Sequence, residues 1–486
     1  MCNSMDISSS QGSKDRISEL PDYLLHECLA LLEMKNAAQT SILSRRWRYM
    51  WTHHLTNLDF DPNSMYPEEY ATFLTHVAES RKYFAWINQV VNIHQGPCID
   101  KFRVEFHYYS SCATQLGKWV KFALSKRVKE LVLDLTGISL LGDDYSEKGF
   151  PLGFDMLRHP PCYTGITALQ SLHLQYVNVS QEFIEFLLFH CRHLERLFLS
   201  LIPLSRLTVR TSKLKYLTIL MSTGNLEYLE IDAENLLYFQ YRDERHNEGP
   251  CMVFKNLPKL VETSFCGGFC RSPFPIFNKL VLFSKQLNKL SLEFEAISSN
   301  HMNLAIPEGV VIPTFPNVKH FTCTIICWGH SCILSMKRFL KACPMLEEFK
   351  LQVDFMTIAE KLIEARELQE VDLENENEIE EMNNSETGFV REAVVENRNE
   401  EEQSYPKLRI LELVGFAGTS CDVQLALAIV SYASSLETII CDPAGVRYSC
   451  TGNVFWLDPS TQHKAAKRRA RKLAKIVAPK VTVMIV

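Results

Sequence analysis

Apolar positions follow two regimes along this chain. Between Asp15 and Trp51 they recur at helical spacing, and from about residue 100 onward they follow a shorter alternating beat. In the first regime Leu24, Leu25, Cys28, Leu29, Leu31 and Leu32 come after a Leu20-Pro21 step. Pro21 has a fixed φ and lacks an N–H that a first helical turn does not need, so it reads as a helix start. Asn36 is placed to cap a second helix holding Ala37, Ala38, Ile42 and Leu43. Ser44 is placed to cap a third, Arg45 to Trp51, which sets Trp47 and Trp51 four apart on one face. The result is a three-helix bundle whose apolar stripe is wider than one packing face requires. So short a segment buries little of its own surface, and a partner protein is the simplest cover for the remainder. Periodicity alone fits an ordinary N-terminal cap on the following domain equally well.

The second regime is a degenerate repeat of the form apolar-x-x-apolar-x-apolar. Copies run from Val128 to Leu133, Leu169 to Leu174, Leu194 to Leu199, Leu214 to Ile219, Leu226 to Ile231 and Leu236 to Tyr241. Others run from Leu287 to Leu292, Val318 to Cys323, Leu346 to Leu351 and Leu408 to Leu413, with a weaker copy at Leu436 to Ile439. The closing alternation predicts a short strand with one buried face. No single unit can bury its own leucines, so units must stack, which is the physics of a leucine-rich repeat. Amphipathic stretches such as Gln181 to Cys191 and Ile333 to Cys343 predict helices on the outer side. Spacing between copies is irregular, from about ten to about thirty residues, against the usual twenty to twenty-nine. Exposed strand positions are the ones able to contact a target, and the candidates are Lys129, Glu130, Asp134, Gln170, His173, Gln175, Glu195, Arg196, Lys215 and Lys289. Solvated surface is the default for most of them.

From Glu367 to Glu402 the chain is rich in Glu and Asn and breaks the repeat. It reads as a solvated insertion, with a lure for a basic partner as the alternative. The alternating beat then resumes at Tyr405-Pro406-Lys407-Leu408. A helix is predicted over Asp422 to Ser431, a strand over Leu436 to Cys441, a basic helix over Lys464 to Lys475 and a last strand over Val481 to Val486. Lys464, Lys467, Arg468, Arg469, Arg471, Lys472 and Lys475 sit opposite Ala465, Ala466, Ala470, Leu473, Ala474 and Ile476. That pattern is a solvated basic face, with an import signal or anionic contact as the competing readings.

Several of these stretches resemble a known family. Leu20-Pro21, Leu24-Leu25, Leu29, Leu32, Ala37-Ala38, Ser41-Ile42-Leu43-Ser44 and Arg45-Arg46-Trp47-Arg48-x-x-Trp51 resemble the F-box motif in its plant form. Two positions depart from it: Glu33 stands where a Pro is common and Asn36 where an acidic residue is common. Cys191-Arg-His-Leu194-Glu-Arg-Leu197 and Cys343-Pro-Met-Leu-Glu-Glu-Phe349 resemble units of plant F-box leucine-rich-repeat proteins, and the C-terminal PKLRILELVGF and SLETIICDP resemble the FBD-type region that ends many of them. The resemblance implies an α/β solenoid with an F-box at 15–55, repeats at 100–360, an acidic flexible insertion at 365–403 and an FBD-like cap at 404–486. It also implies a substrate-recognition subunit of an SCF-type cullin–RING ubiquitin ligase, docked through a Skp-type adaptor to a cullin and holding an unknown target protein. Leu20, Pro21, Leu25, Leu29, Leu32, Ile42, Leu43 and Trp47 are the expected adaptor contacts or their immediate support. A nuclear or cytoplasmic location is expected with it. The alternative is a repeat-based interaction scaffold without a ligase.

Composition narrows the alternatives. The 486 residues are 46% hydrophobic, enough for a large core in roughly two to four domains. A formal net charge of -6 argues against nucleic acid as the default partner. No run of about eighteen apolar residues predicts a membrane span, and the polar start MCNSMDISSSQGSKD lacks a signal-peptide apolar core. The sixteen cysteines contain no C-x-x-C pair, and Cys266-x-x-x-Cys270 and Cys323-x-x-x-Cys327 lack a second ligand pair downstream. Cys28, Cys191, Cys323, Cys343 and Cys441 fall in apolar runs and read as free thiols of a reducing compartment rather than zinc ligands or disulfides. There is no G-x-S-x-G, phosphate-cradling Gly loop or H-E-x-x-H, and neither His53-His54 nor Gly267-Gly268 joins a second motif. An enzyme and a cofactor are not expected. A thiol hydrolase would betray itself by a fast-alkylating cysteine, and a nucleic-acid binder by a steep salt dependence.

Overall fold

The computed structural model describes residues 20–61, 73–136, 149–158, 160–221, 226–243, 249–267, 274–296, 312–327, 337–355, 405–416, 418, 420–443, 447–448, 454–455, 462–478 and 480–486. The acidic stretch 365–403 lies outside them, as does Cys270. The chain divides into two compact units, Met1–Asn178 with His190–Leu194, and Val179–Phe189 with Glu195–Val486.

The first unit opens with three helices, α1 (Asp22–Ala30), α2 (Met34–Gln39) and α3 (Trp47–His54). Pro21 precedes α1 rather than starting it, and its carbonyl accepts the Leu24 N–H at 3.0 Å. The expected Asn36 cap is corrected: Asn36 lies inside α2, and Glu33 in extended conformation precedes the helix. That helix ends early because the Thr40 and Ser41 hydroxyls donate to the Ala37 and Ala38 carbonyls. Ile42 and Leu43 are therefore in and beyond a tight turn, Thr40–Ile42, instead of on α2. Ser44 does act at the start of the third helix, accepting the Trp47 N–H at 3.3 Å. The helix begins at Trp47, two residues later than the pattern predicts.

Four parallel strands follow, Asn57–Phe60, Lys101–Glu105, Glu130–Asp134 and Ser171–Gln175, each beside the next. Helices Phe73–Ile93, Ala113–Ser125 and Pro160–Ile166 lie between them in sequence. The first two strands also carry the six-residue signature, as Leu55-x-x-Leu58-x-Phe60 and Ile99-x-x-Phe102-x-Val104, and these six residues are buried like the leucines of the other copies. Gly165 has a reason to be glycine, since a Cβ there would fall 1.6 Å from the Leu124 carbonyl oxygen of the neighbouring helix.

In the second unit ten strands form one parallel sheet, in the order Arg196–Ser200, Tyr216–Met221, Tyr238–Asp243, Glu262–Cys266, Lys289–Ala296, His320–Cys327, Glu348–Phe355, Ile410–Val414, Thr438–Asp442 and Thr482–Ile485. Their registers align equivalent positions, so Leu217 stands opposite Phe239 and Leu290 opposite Phe321. Buried rows run across the sheet as stacked apolar residues, including the Phe321 and Phe349 rings at 5.6 Å. This is the solenoid-like α/β architecture expected of leucine-rich repeats.

The irregular spacing has a physical cause. Arg206–Arg210, Tyr228–Asp232 and Cys251–Lys255 form a second parallel sheet, placed in sequence between strands of the first. The copy at Leu226 to Ile231 thus belongs to this outer sheet, and the ten-residue spacing marks two strands per turn. A strand advances about 3.3 Å per residue against about 1.5 Å for a helix. A return segment made of strand needs fewer than half the residues of a helical one. Outward on this sheet, Glu230 accepts hydrogen bonds from the Tyr228 hydroxyl (2.7 Å), Arg210 Nη2 (2.8 Å) and Lys255 Nζ (3.0 Å). These three bonds, the Tyr228 one foremost, hold its carboxyl down at about 2. At one edge the Gln181 side-chain amide bonds both backbone groups of Thr208, as a neighbouring strand would. Further along, return segments are helical again, at Phe274–Leu280, Lys337–Ala342, Ser420–Tyr432 and Gln462–Val477.

Of the cysteines read as buried, Cys191, Cys323, Cys343 and Cys441 are buried free thiols, whereas Cys28 is exposed on α1. Burial pushes the Cys191, Cys343 and Cys441 thiols up to about 12, far from a reactive thiolate.

Two stability predictions arise from buried polar groups. Thr263 is fully buried in a row of apolar residues, and its hydroxyl has no partner among the described residues. Thr263→Val is expected to raise stability by about 1 kcal/mol, read from the urea midpoint, because an unmet buried hydroxyl is removed at nearly constant shape. His94 follows the long helix and donates from Nε2 to the Leu55 carbonyl at 3.0 Å, leaving a buried Nδ1 without a partner. Burial above all, with Lys126 and His53 adding repulsion, holds its pKa below the usual 6.5. The unfolded chain takes up that proton first, so stability is fully present above pH 6.5 and declines as pH falls below it. His94→Gln keeps a donor toward Leu55 without titrating. Its urea midpoint is expected to fall less than that of the wild type between pH 7.5 and 5.5, and equal slopes would assign the effect elsewhere.

Candidate functional site

The N-terminal bundle separates its apolar residues into two classes. Leu25, Leu29 and Ala37 are at 0% exposure and, with Met34, Trp47, Met50 and Trp51, form a closed interior. Leu31 and Ile42 are each 87% exposed, and Tyr23, Leu24, Leu43 and Tyr49 are also out in solvent. Among the expected contact residues, Pro21, Ile42 and Leu43 are exposed, Leu20 and Leu32 half-buried, and Leu25, Leu29 and Trp47 buried. The buried three therefore act as support and the exposed three as surface. Tyr23, Leu24, Leu31 and Tyr49 belong with the surface set although sequence reasoning did not select them. The signal for Leu24 and Leu31 was present in the surplus width of the α1 stripe. Arg46, ahead of α3, reaches back to the start of α1 with hydrogen bonds to the Leu20 carbonyl (2.8 Å) and the Asp22 carboxylate. It ties the third helix to the first and so sets the spacing of the residues between. Among the described residues nothing covers these exposed side chains.

The strand faces turned away from the core make the second candidate surface. In the first unit it is charged and largely self-paired. Lys101 meets Asp59 at 2.8 Å, Arg103 lies against Glu105 and Asp59, and Thr136 Oγ1 donates to Asp134 at 2.7 Å. Gln175 donates to Thr136 and extends this network to the fourth strand. Burial raises the Glu105 carboxyl above its usual range, with Asp134 adding to it against Arg103, and burial lowers the His173 imidazole.

In the second unit the face begins with a cation and rings. Arg196 sits 5.9 Å over Tyr216, whose ring is 6.5 Å from Tyr238, and the Tyr238 hydroxyl donates to Gln240 at 2.8 Å. Farther along, residues directly opposite in register meet, Glu262 with Lys289 (2.8 Å) and Lys350 with Glu412 (2.7 Å) as ion pairs and His320 Nδ1 with the Glu348 carboxylate (2.9 Å) as a hydrogen bond. Near the strand C-termini Glu293 is buried, accepting the Gly267 N–H at 3.1 Å and facing Arg242 at 3.4 Å. Gly267 takes φ +105, and a Cβ would collide with the Asp243 carbonyl.

The candidates read from the repeat fall on two different features. Glu130, Asp134, His173, Gln175, Arg196 and Lys289 are on strands, whereas Lys129, Gln170, Glu195 and Lys215 precede them. The preceding positions form a rim of paired charges, Lys129 with Asp100 and Lys215 with Glu195, repeated later by Lys319 with Glu347 and Arg409 with Glu437. Such exposed pairs are screened by water and salt and contribute little to stability.

Comparison with known proteins adds independent information. Residues 17–58 match the family model of the F-box domain, and residues 90–484 match that of the At1g61320/AtMIF1 LRR domain. Among similar proteins, the F-box/FBD/LRR-repeat protein At1g13570 of Arabidopsis thaliana is 31% identical over 257 residues, 52% of this chain and 54% of that protein. The putative F-box/LRR-repeat protein At4g15060 of the same plant is 26% identical over 363 residues, 70% of this chain and 80% of its own length. The FBD-associated F-box protein At4g10400 is 27% identical over 300 residues, 58% and 67% respectively. The chain thus spans about half the length of the first of these relatives.

The two classes of apolar residue in the bundle predict opposite stability outcomes. Leu25→Ala or Leu29→Ala is expected to cost about 2–5 kcal/mol. Leu31→Ala or Ile42→Ala should stay within about 0.5 kcal/mol of wild type in the same chemical denaturation experiment.

Proposed function

This chain belongs to the family of F-box proteins with leucine-rich repeats, and on that premise we propose that it is the substrate-recognition subunit of an SCF-type cullin–RING ubiquitin ligase. The exposed apolar residues of the N-terminal bundle dock on a Skp-type adaptor, and through it on a cullin. The open strand faces hold the target protein. The chain contributes proximity rather than chemistry, converting a bimolecular ubiquitin transfer into one between groups held together. It acts where such a ligase resides, in the nucleus or cytoplasm.

One observation carries the reading: a bundle with a complete interior keeps Leu31 and Ile42 at 87% exposure. They do not stand alone, because Tyr23, Leu24, Leu43 and Tyr49 of the same bundle are exposed with them, and exposed apolar side chains carry weight only when they accumulate on one element. A patch of this kind marks an interaction site on an otherwise well-packed element.

The test is binding of the purified chain to a purified Skp-type adaptor, measured by calorimetry. Wild type is expected to bind, and Ile42→Asp with Leu43→Asp to weaken binding at least about tenfold, or about 1.4 kcal/mol, with an unchanged circular dichroism spectrum. Failure of the folded wild type to bind would overturn the ligase reading in favour of a repeat scaffold.

A further inference from the structure

The chain treats its cations in two ways. Many on the sheets are paired with carboxylates, as Lys215 is with Glu195, Lys319 with Glu347, Lys350 with Glu412 and Arg409 with Glu437, while Arg196 and Arg206 rest on tyrosine rings. The helix Gln462–Val477 differs. It buries Ala466, Ala470, Leu473 and Val477 and turns Arg468, Arg471, Lys472 and Lys475 to solvent, with Lys467 half-exposed. None of these five cations has an ion-pair partner among the described residues, and the helix contains no acidic residue. Lys467, Arg471 and Lys475 are successive i,i+4 neighbours, as are Arg468 and Lys472, so the face repels itself. An uncompensated face of this kind calls for an anionic occupant.

The chain carries one. The 36 residues from Glu367 to Glu402 hold thirteen Glu and one Asp against two Arg, a net charge of -12. The whole chain is at -6, so the other 450 residues sum to +6. Two strand connections separate this segment from the basic helix. Tyr405, three residues past Glu402, donates its N–H at 2.8 Å to the carbonyl of Tyr432, at the end of helix Ser420–Tyr432. That helix packs against Gln462–Val477, and packed helix axes lie about 8–10 Å apart. The stretch 356–404 could span up to about 160 Å if fully extended, so reach sets no limit. Tethering also raises the local concentration of carboxylates near the face to about the millimolar range or above. The apolar side of the helix is already buried, which leaves charge as the recognition chemistry and excludes insertion into a lipid surface.

We propose that the acidic segment Glu367–Glu402 is the intramolecular occupant of the basic face of helix Gln462–Val477. Its carboxylates take the place of the cross-strand partners that the sheet cations have, and they keep other polyanions off the face. This stands independently of the ligase reading.

The test is carbodiimide cross-linking of the full-length chain, mixed as unlabelled and 15N-labelled protein, with peptide mass spectrometry. Same-isotope links from Lys472 or Lys475 to carboxylates of 367–402 are expected, falling severalfold near 1 M NaCl, where the screening length is about 3 Å. Links that are absent, or that join light to heavy chains, would overturn the proposal, the second outcome assigning the face to another copy. A second variant, Glu396→Gln with Glu400→Gln, Glu401→Gln and Glu402→Gln, leaves the helix intact. It is expected to elute later from immobilised heparin than a charge-matched control with Glu27, Glu33, Glu227 and Glu234 each changed to Gln, and equal elution of the two would count against masking of the face.

Discussion

Stacking of parallel strands is the constraint on which the rest of this protein depends. Each strand is four to eight residues long and presents only two or three apolar side chains to the core. Alone it could neither pair its backbone nor bury that row. In register with its neighbours, as Leu290 is with Phe321 and Phe321 with Phe349, it does both. Stability therefore belongs to contacts between repeats, and what lies between strands is free to differ as long as it returns the chain to the next register. Among the described residues the return segment is a helix in most repeats and a strand in three of them.

The same constraint distributes chemistry over the surface. One face of every strand is committed to the core, so recognition falls to the other face and to the rim. In-register alignment places residues of successive repeats side by side, where unlike charges stabilise and like charges do not. That accounts for the pairing of Glu262 with Lys289 and Lys350 with Glu412. It also leaves a face with few unneutralised charges and an aromatic stretch at Arg196, Tyr216 and Tyr238. The N-terminal bundle is under no such rule. It closes a small interior around Leu25, Leu29 and Trp47 and keeps its remaining apolar residues outside, which is the arrangement expected of an element completed by a partner.

The N-terminal bundle, the repeat and the C-terminal strands and helices were legible in the sequence because each depends on local periodicity. Helical spacing placed α1, and α3 to within three residues at its end, and the alternating beat located the strands at 130–134, 171–175, 289–296 and 410–414. The strands at 57–60 and 101–105 carry the same beat, as Leu55 to Phe60 and Ile99 to Val104, and were equally legible, whereas the strand at 262–266 escaped it because Thr263 stands at a core position. Net charge was legible as a sum, but the sum concealed a body of +6 behind a segment of -12.

Tertiary structure alone decided three things. It assigned the copy at Leu226 to Ile231 to a second sheet, because identical alternation serves either side of a turn and only packing chooses between them. It divided the leucines of the bundle into interior and surface, since a stripe wider than one face does not declare which edge faces a neighbour; Leu25 and Leu31 differ only in that. It separated rim from face within each repeat, placing Lys215 before its strand and Tyr216 on it. Periodicity reports that a residue has an apolar neighbour along the chain, whereas burial depends on which elements arrive from elsewhere, and that information is carried by the whole fold.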